Sequence, residues 1–204
     1  MQTKVRAVDS SGDEVDLKAS DGGVLWTDMA RYYTAKGYGY QTMTTAGVAA
    51  LVARPAALSL LTLYNNTGNK HFVIERAMAF NLVTTAAAGF FSIWLCVHPT
   101  GMAVPAGNNI AIRNSTSGLS AGTLGVADTD EAVADNGWFP WGPIGQCEAV
   151  GVLPSGAVSA EIGGRIIVPP TAGISIQVVA SLVGETFTTG FHWFAVPEAE
   201  LTVN

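Results

Sequence analysis

The stretch Ile174-Ser175-Ile176-Gln177-Val178-Val179-Ala180-Ser181-Leu182 decides the fold class. Ile174, Ile176, Val178, Ala180 and Leu182 recur at every second position, with Ser175, Gln177 and Ser181 between them. A period of two puts alternate side chains on opposite faces of an extended chain, so this is a half-buried β-strand. Outward from it the pattern repeats. Phe187, Thr189, Phe191, Trp193 and Ala195 alternate with Thr186, Thr188, Gly190 and His192, and Phe91, Ile93, Leu95 and Val97 stand opposite Ser92 and His98. Residues 58–64, 72–83, 144–153 and 165–168 complete seven or eight candidate strands. They are separated by breakers such as Asn65-Asn66-Thr67-Gly68, Pro99-Thr100-Gly101 and Pro169-Pro170-Thr171. An all-β antiparallel sandwich is expected. Residues 24–36 and 44–53 read as short or irregular helices, the first from Leu25, Met29, Tyr32 and Tyr33, the second from its alanines. Residues 103–136 lose apolar periodicity and read as a long loop.

Charge divides the chain of 204 residues. Residues 1–36 hold 11 of its 26 charged groups, and the other 168 residues hold 15. The expected organisation is therefore a short charged N-terminal arm or subdomain, 1–36, followed by a sandwich domain, 37–204. A charged share of 13% is about half the usual 25%, so much of the surface is expected to face protein rather than water. A net charge of −6 with ten Lys plus Arg argues against a nucleic-acid partner. Residues 77–97 carry no charge over a length that would span a bilayer. Asn81, Thr84, Thr85 and Ser92 interrupt them, however, and two buried strands joined by a turn explain them better, with no membrane partner. No basic and apolar leader follows Met1, so secretion is not expected, and two cysteines make no disulfide scaffold.

Few residues suggest chemistry. Gly118-Leu119-Ser120-Ala121-Gly122 matches the nucleophile-elbow pattern, but no strand leads into it and no helix follows. Asp128, Asp130, Glu131 and Asp135 begin like a calcium loop, yet Val133 stands where its glycine belongs and Phe139 where its final Glu belongs. The plain reading is a solvated acidic loop. Cys96 and His98 share one strand face but lack further ligands at zinc spacing. No cofactor or metal is expected. Asn65-Asn66-Thr67 and Asn114-Ser115-Thr116 fit the glycosylation acceptor pattern and read as turns. The string Trp138-Phe139-Pro140-Trp141 is the most unusual. Its rings close one end of the core on a bent strand, anchor a protein interface, or stack on sugars. Trp138, Phe139, Trp141, Trp26, Tyr32 and Tyr33 are the interface candidates.

Three features occur together: the Thr/Ala/Gly-rich residues 42–50, the Pro169-Pro170-Thr171-Ala172-Gly173 run before a Ser/Ile/Val strand, and the ending from Phe187 through Trp193 to Pro197-Glu198. In this the chain, over residues 37–198, resembles the jelly-roll structural proteins of tailed-phage virions, especially head decoration or cement proteins. The resemblance implies an antiparallel jelly roll that sits on the capsid surface as a homotrimer and clamps neighbouring subunits of the major capsid protein, with no catalytic residues. Residues 1–36 have no counterpart in it. A carbohydrate-binding jelly roll using Trp138 and Trp141, and a hydrolase using Ser120 or the acidic loop, are the alternatives from other classes.

Overall fold

A computed structural model describes residues 6–8, 14–16, 29–85, 87–121, 124–149 and 156–201; for 6–8, 14–16 and 29 it describes the backbone alone. The strands are β1 (Arg6–Val8), β2 (Glu14–Asp16), β3 (Gly39–Met43), β4 (Val48–Ala49), β5 (Leu61–Tyr64), β6 (Lys70–Val83), β7 (Gly89–His98), β8 (Asn109–Ile110), β9 (Arg113–Asn114), β10 (Val126–Thr129), β11 (Phe139–Cys147), β12 (Ala157–Val168), β13 (Gly173–Ala180) and β14 (Thr186–Pro197). The helices are α1 (Met29–Ala35) and α2 (Glu198–Leu201). β1 and β2 pair with each other.

The remaining strands build two antiparallel sheets packed face to face, as expected of a sandwich. The first sheet runs β12-β6-β14-β3-β9, with β4 also on β14, and the second runs β11-β7-β13-β5-β10-β8. The alternation sets which side chains meet. Phe187, Phe191 and Trp193 of β14, Phe72 and Ile74 of β6, and Ile162 of β12 project from the first sheet. They meet Ile93 and Leu95 of β7, Ile174, Ile176 and Val178 of β13, and Leu61 and Leu63 of β5. Each of these side chains is buried, and full burial of one such residue is worth about 1.5–3 kcal/mol. The uncharged residues 77–97 divide between β6 and β7, which lie in opposite sheets. No helix of the described residues is long and apolar enough to cross a membrane.

Three expectations need correction. Residues 44–53 form no helix: Val48–Ala49 is β4, held by Thr186 and Phe187, and tertiary pairing overrides the helix preference of alanine. The strand expected over 144–153 begins earlier, at Phe139, and ends at Cys147. The expected loop 103–136 is in part sheet. Its β10 pairs with β5 and its β8 with β10, while β9 joins β3 in the other sheet. Ile112, between β8 and β9, is buried in the core as the chain crosses from one sheet to the other. Within the charged segment 1–36, α1 lies on the outer face of the first sheet. Tyr33 is buried there with its ring 5.7 Å from that of Phe194.

Candidate functional site

The candidate rings come to different places. Trp138 is buried against Cys96 and Val133. Phe139 and Trp141 pair with Leu95 and Ile93 across β11 and β7, so they point inward at the open side of the sandwich, 5.7 Å apart and edge to face. Trp141 Nε1 donates to the Glu161 carbonyl of β12 at 3.1 Å and ties the two sheets together at this edge. The string is thus a bent edge strand closing one side of the core. Tyr33 serves the α1 contact, and Tyr32 stacks edge-on against it at 5.3 Å. The Lys36 ammonium lies 4.6 Å from the Tyr32 ring and 3.1 Å from Glu200 of α2. Trp26 lies outside the described residues.

The other sequence motifs are not brought together as a reaction centre. Ser120 is exposed and bridges Arg113, while His192 reaches Ser115 Oγ at 3.2 Å. Asn65 and Asn114 fold back on their own turns, accepting from the N–H groups of Thr67 and Thr116. The acidic residues separate. Asp135 takes a two-pronged ion pair from Arg54 (2.7 and 3.1 Å), and Arg54, followed by the Gly137 N–H, holds its carboxyl down to about 2. Asp130 is exposed, with φ of 60°. Asp128, far from being solvated, is fully buried on β10. Among the described residues no group of three or more His, Cys, Asp or Glu is placed to hold a metal.

Sequence reasoning missed a buried polar row. The outer face of the second sheet is partly covered by the chain itself. Val133 and Trp138 pack on Cys96, and Ala134 O and Asn136 Oδ1 come to Cys96 Sγ and His98 Nδ1. Underneath, Ser59 Oγ lies 2.7 Å from Thr62 Oγ1, which lies 2.8 Å from Ser175 Oγ. Ser175 Oγ is 2.8 Å from His98 Nε2, and His98 Nδ1 is 2.8 Å from Asn136 Oδ1. Burial lowers the His98 pKa, which favours the neutral ring. With Nδ1 donating to Asn136, Nε2 accepts from Ser175, and each hydroxyl in the row passes its donor onward. The distances are those of a nucleophile, base and orienting amide. Yet Ser175 is fully buried in mid-strand and bonded to Thr62, so no substrate atom reaches it. The row holds covering segments to a sheet. A cleft of about 280 Å³, lined by Met102, Glu131, Ala134 and Asn136 among others, opens beside His98.

The remaining distinctive surface is the outer face of the first sheet. In register across it run Ser159, Met78, Gly190 and Met43, with Ala157, Phe80 and Thr188 in the next row. Met43 is 38%, Phe80 37% and Leu82 42% exposed. Gly190 leaves a gap between the two methionines, and a groove of about 340 Å³ runs there past Gln41, Ala111 and Arg113. The neighbouring row, Glu161, Arg76, His192 and Gln41, is polar, and its Arg76–Glu161 pair closes at 2.7 Å. Beyond that row α1 covers the face.

Compared with known proteins, the chain matches no family model, no curated sequence and no solved structure.

Proposed function

We propose that this chain is a structural virion protein, a capsid decoration or cement protein that self-associates as a homotrimer and clamps subunits of the major capsid protein. The observation that carries the reading is the apolar half-face of the first sheet: Met43, Phe80 and Leu82 exposed together, with half-buried Met78 between them, beside a polar row. An apolar centre with a polar border is the composition of an interface, and water-facing patches of this kind mark sites of association. Strand order supports the architecture. Numbered from first to eighth, β3, β5, β6, β7, β11, β12, β13 and β14 lie 1-8-3-6 in one sheet and 2-7-4-5 in the other. With the short strands β4, β8, β9 and β10 set aside, that order is the one a jelly roll would have, an architecture common in viral coat proteins and lectins, and it supports the reading. The sparse charge after residue 36 agrees with a surface hidden in an assembly. Light scattering on the eluting protein at micromolar concentration tests the reading. A trimer that Phe80→Ser or Leu82→Asp dissociates, without loss of the folded β signal, is the expected result. A wild-type monomer throughout refutes it.

A further inference from the structure

We propose that Asp128 and Glu131 hold a hard divalent cation, calcium by the chemistry of the site. Asp128 stands on β10 opposite Thr62 and Asn109, at one end of the buried polar row. It is fully buried; Oδ2 accepts the Asn108 N–H at 3.1 Å, while the equally buried Oδ1 has no partner among the described residues. Glu131, three residues on, is half-buried and accepts the N–H of Ala106, two residues before Asn108. One short segment therefore reaches both carboxylates. Neither makes an ion pair among the described residues. A buried carboxylate with an unpartnered oxygen is costly unless a proton or a cation balances it. Burial, and then the Asp128 charge, push the Glu131 pKa up. Everything offered here is oxygen: two carboxylates, with the exposed Asn108 side chain and backbone carbonyls nearby. Calcium accepts such irregular oxygen sets and completes them with water, whereas magnesium demands near-ideal octahedral geometry. Two carboxylates make a weak site, in the range of extracellular modules rather than of cytosolic buffers. Bound there, the ion would pin the segment around 106–108 to β10 and to the start of the covering segment.

The test is calorimetric titration and thermal unfolding of the whole chelator-treated protein with calcium chloride, and separately with magnesium chloride. Saturable calcium binding, a Tm that rises with it and a much smaller magnesium effect are expected. Asp128→Asn and Glu131→Gln should each weaken calcium roughly tenfold or more, and exposed Asp130→Asn should leave it unchanged. Should Asp128→Asn fail to fold, Glu131→Gln at the rim of the site decides. No saturable calcium binding by the wild type, or full binding by Glu131→Gln, overturns the proposal, leaving a shared proton as the balancing charge.

Discussion

Replacing Glu185 by glutamine should make the protein more stable at alkaline pH and leave it little changed at acid pH. Glu185 sits between β13 and β14, fully buried, and among the described residues its carboxyl has only the Cys147 thiol beside it as a weak donor. Gly89 closes over it, since a Cβ there would stand 2.9 Å from Oε1. Burial pushes the carboxyl pKa up, only partly opposed by the Cys147 thiol, itself pushed up to about 12 by burial and by Glu185. The folded chain thus keeps a proton that the unfolded chain releases from about pH 4.5 upward. Between the two pKa values the folded state binds more protons, so stability falls as pH rises, by about 1.4 kcal/mol per pH unit. Below the unfolded value the penalty is absent. Glutamine keeps the shape and removes the titration. Urea unfolding of both proteins across a range of pH should give curves that diverge as pH rises above the unfolded value and run parallel again once the folded value is passed. Curves parallel throughout would mean that Glu185 is ionised in the fold at no cost, and would refute the reasoning.

Two further outcomes follow from the packing. Gly145→Ala should lower stability by about 1–3 kcal/mol in urea unfolding, because the new Cβ would run into the Phe91 ring and stand 2.6 Å from Val158. His98→Leu should cost about 1–3 kcal/mol by taking the buried Ser175 hydroxyl's partner on that side and leaving it only Thr62, and adding Ser175→Ala should cost less than the sum of the single changes. His98 also gives the opposite pH dependence to Glu185. Its pKa is lowered by burial, so its stabilisation is complete above about pH 6.5 and is lost as pH falls toward the folded value. His192, lowered by burial and then by Arg76, adds to the same acid-side loss.

Strands with long, clean alternation were legible from the sequence. Ile174 to Ala180 and Phe187 to Ala195 lie in β13 and β14, as their period of two implies. Where strands are short or bulged the signal fails. β8 and β9 have two residues each, too few for any period. β12 runs through Gly163 and Gly164, whose positive φ values of 58° and 75° belong to a bulge between Glu161 and Ile166. Read as sequence, that Gly-Gly pair ends a strand instead of bending one. The buried polar row was hidden for another reason. Cys96 and His98 do share a face, with Cys96 Sγ 4.0 Å from His98 Nδ1. Their partners, however, are distant: Asn136 lies 38 residues and Ser175 77 residues from His98. Polar residues at alternate strand positions normally mean solvent, and only the second layer of chain over that face reverses the inference.

Which surface can meet another molecule follows from how the sheets end. An open β-edge is the easiest route to self-association, and both sheets blunt theirs. On one side the outermost strands β8 and β9 are two residues long. On the other, β11 carries Pro140 and Pro143 and a register shift between Trp141 and Gly145, while β12 carries its glycine bulge. Among the faces, that of the second sheet lies in part under Val133 and Trp138, with Phe90 60% exposed beyond them, and one half of the first lies under α1. Among the described residues the half-face of Met43, Phe80 and Leu82, with half-buried Met78 between them, is a place where several exposed apolar side chains stand together. Two exposed apolar side chains that composition alone treats alike therefore differ in role. Ile144, 73% exposed on the bulged edge, should accept lysine with the oligomer intact. Leu82, on the half-face, should not, and scattering of the two variants side by side would show it. Dissociation by Ile144→Lys and not by Leu82→Lys would place the contact on the edge and overturn the assignment of the face.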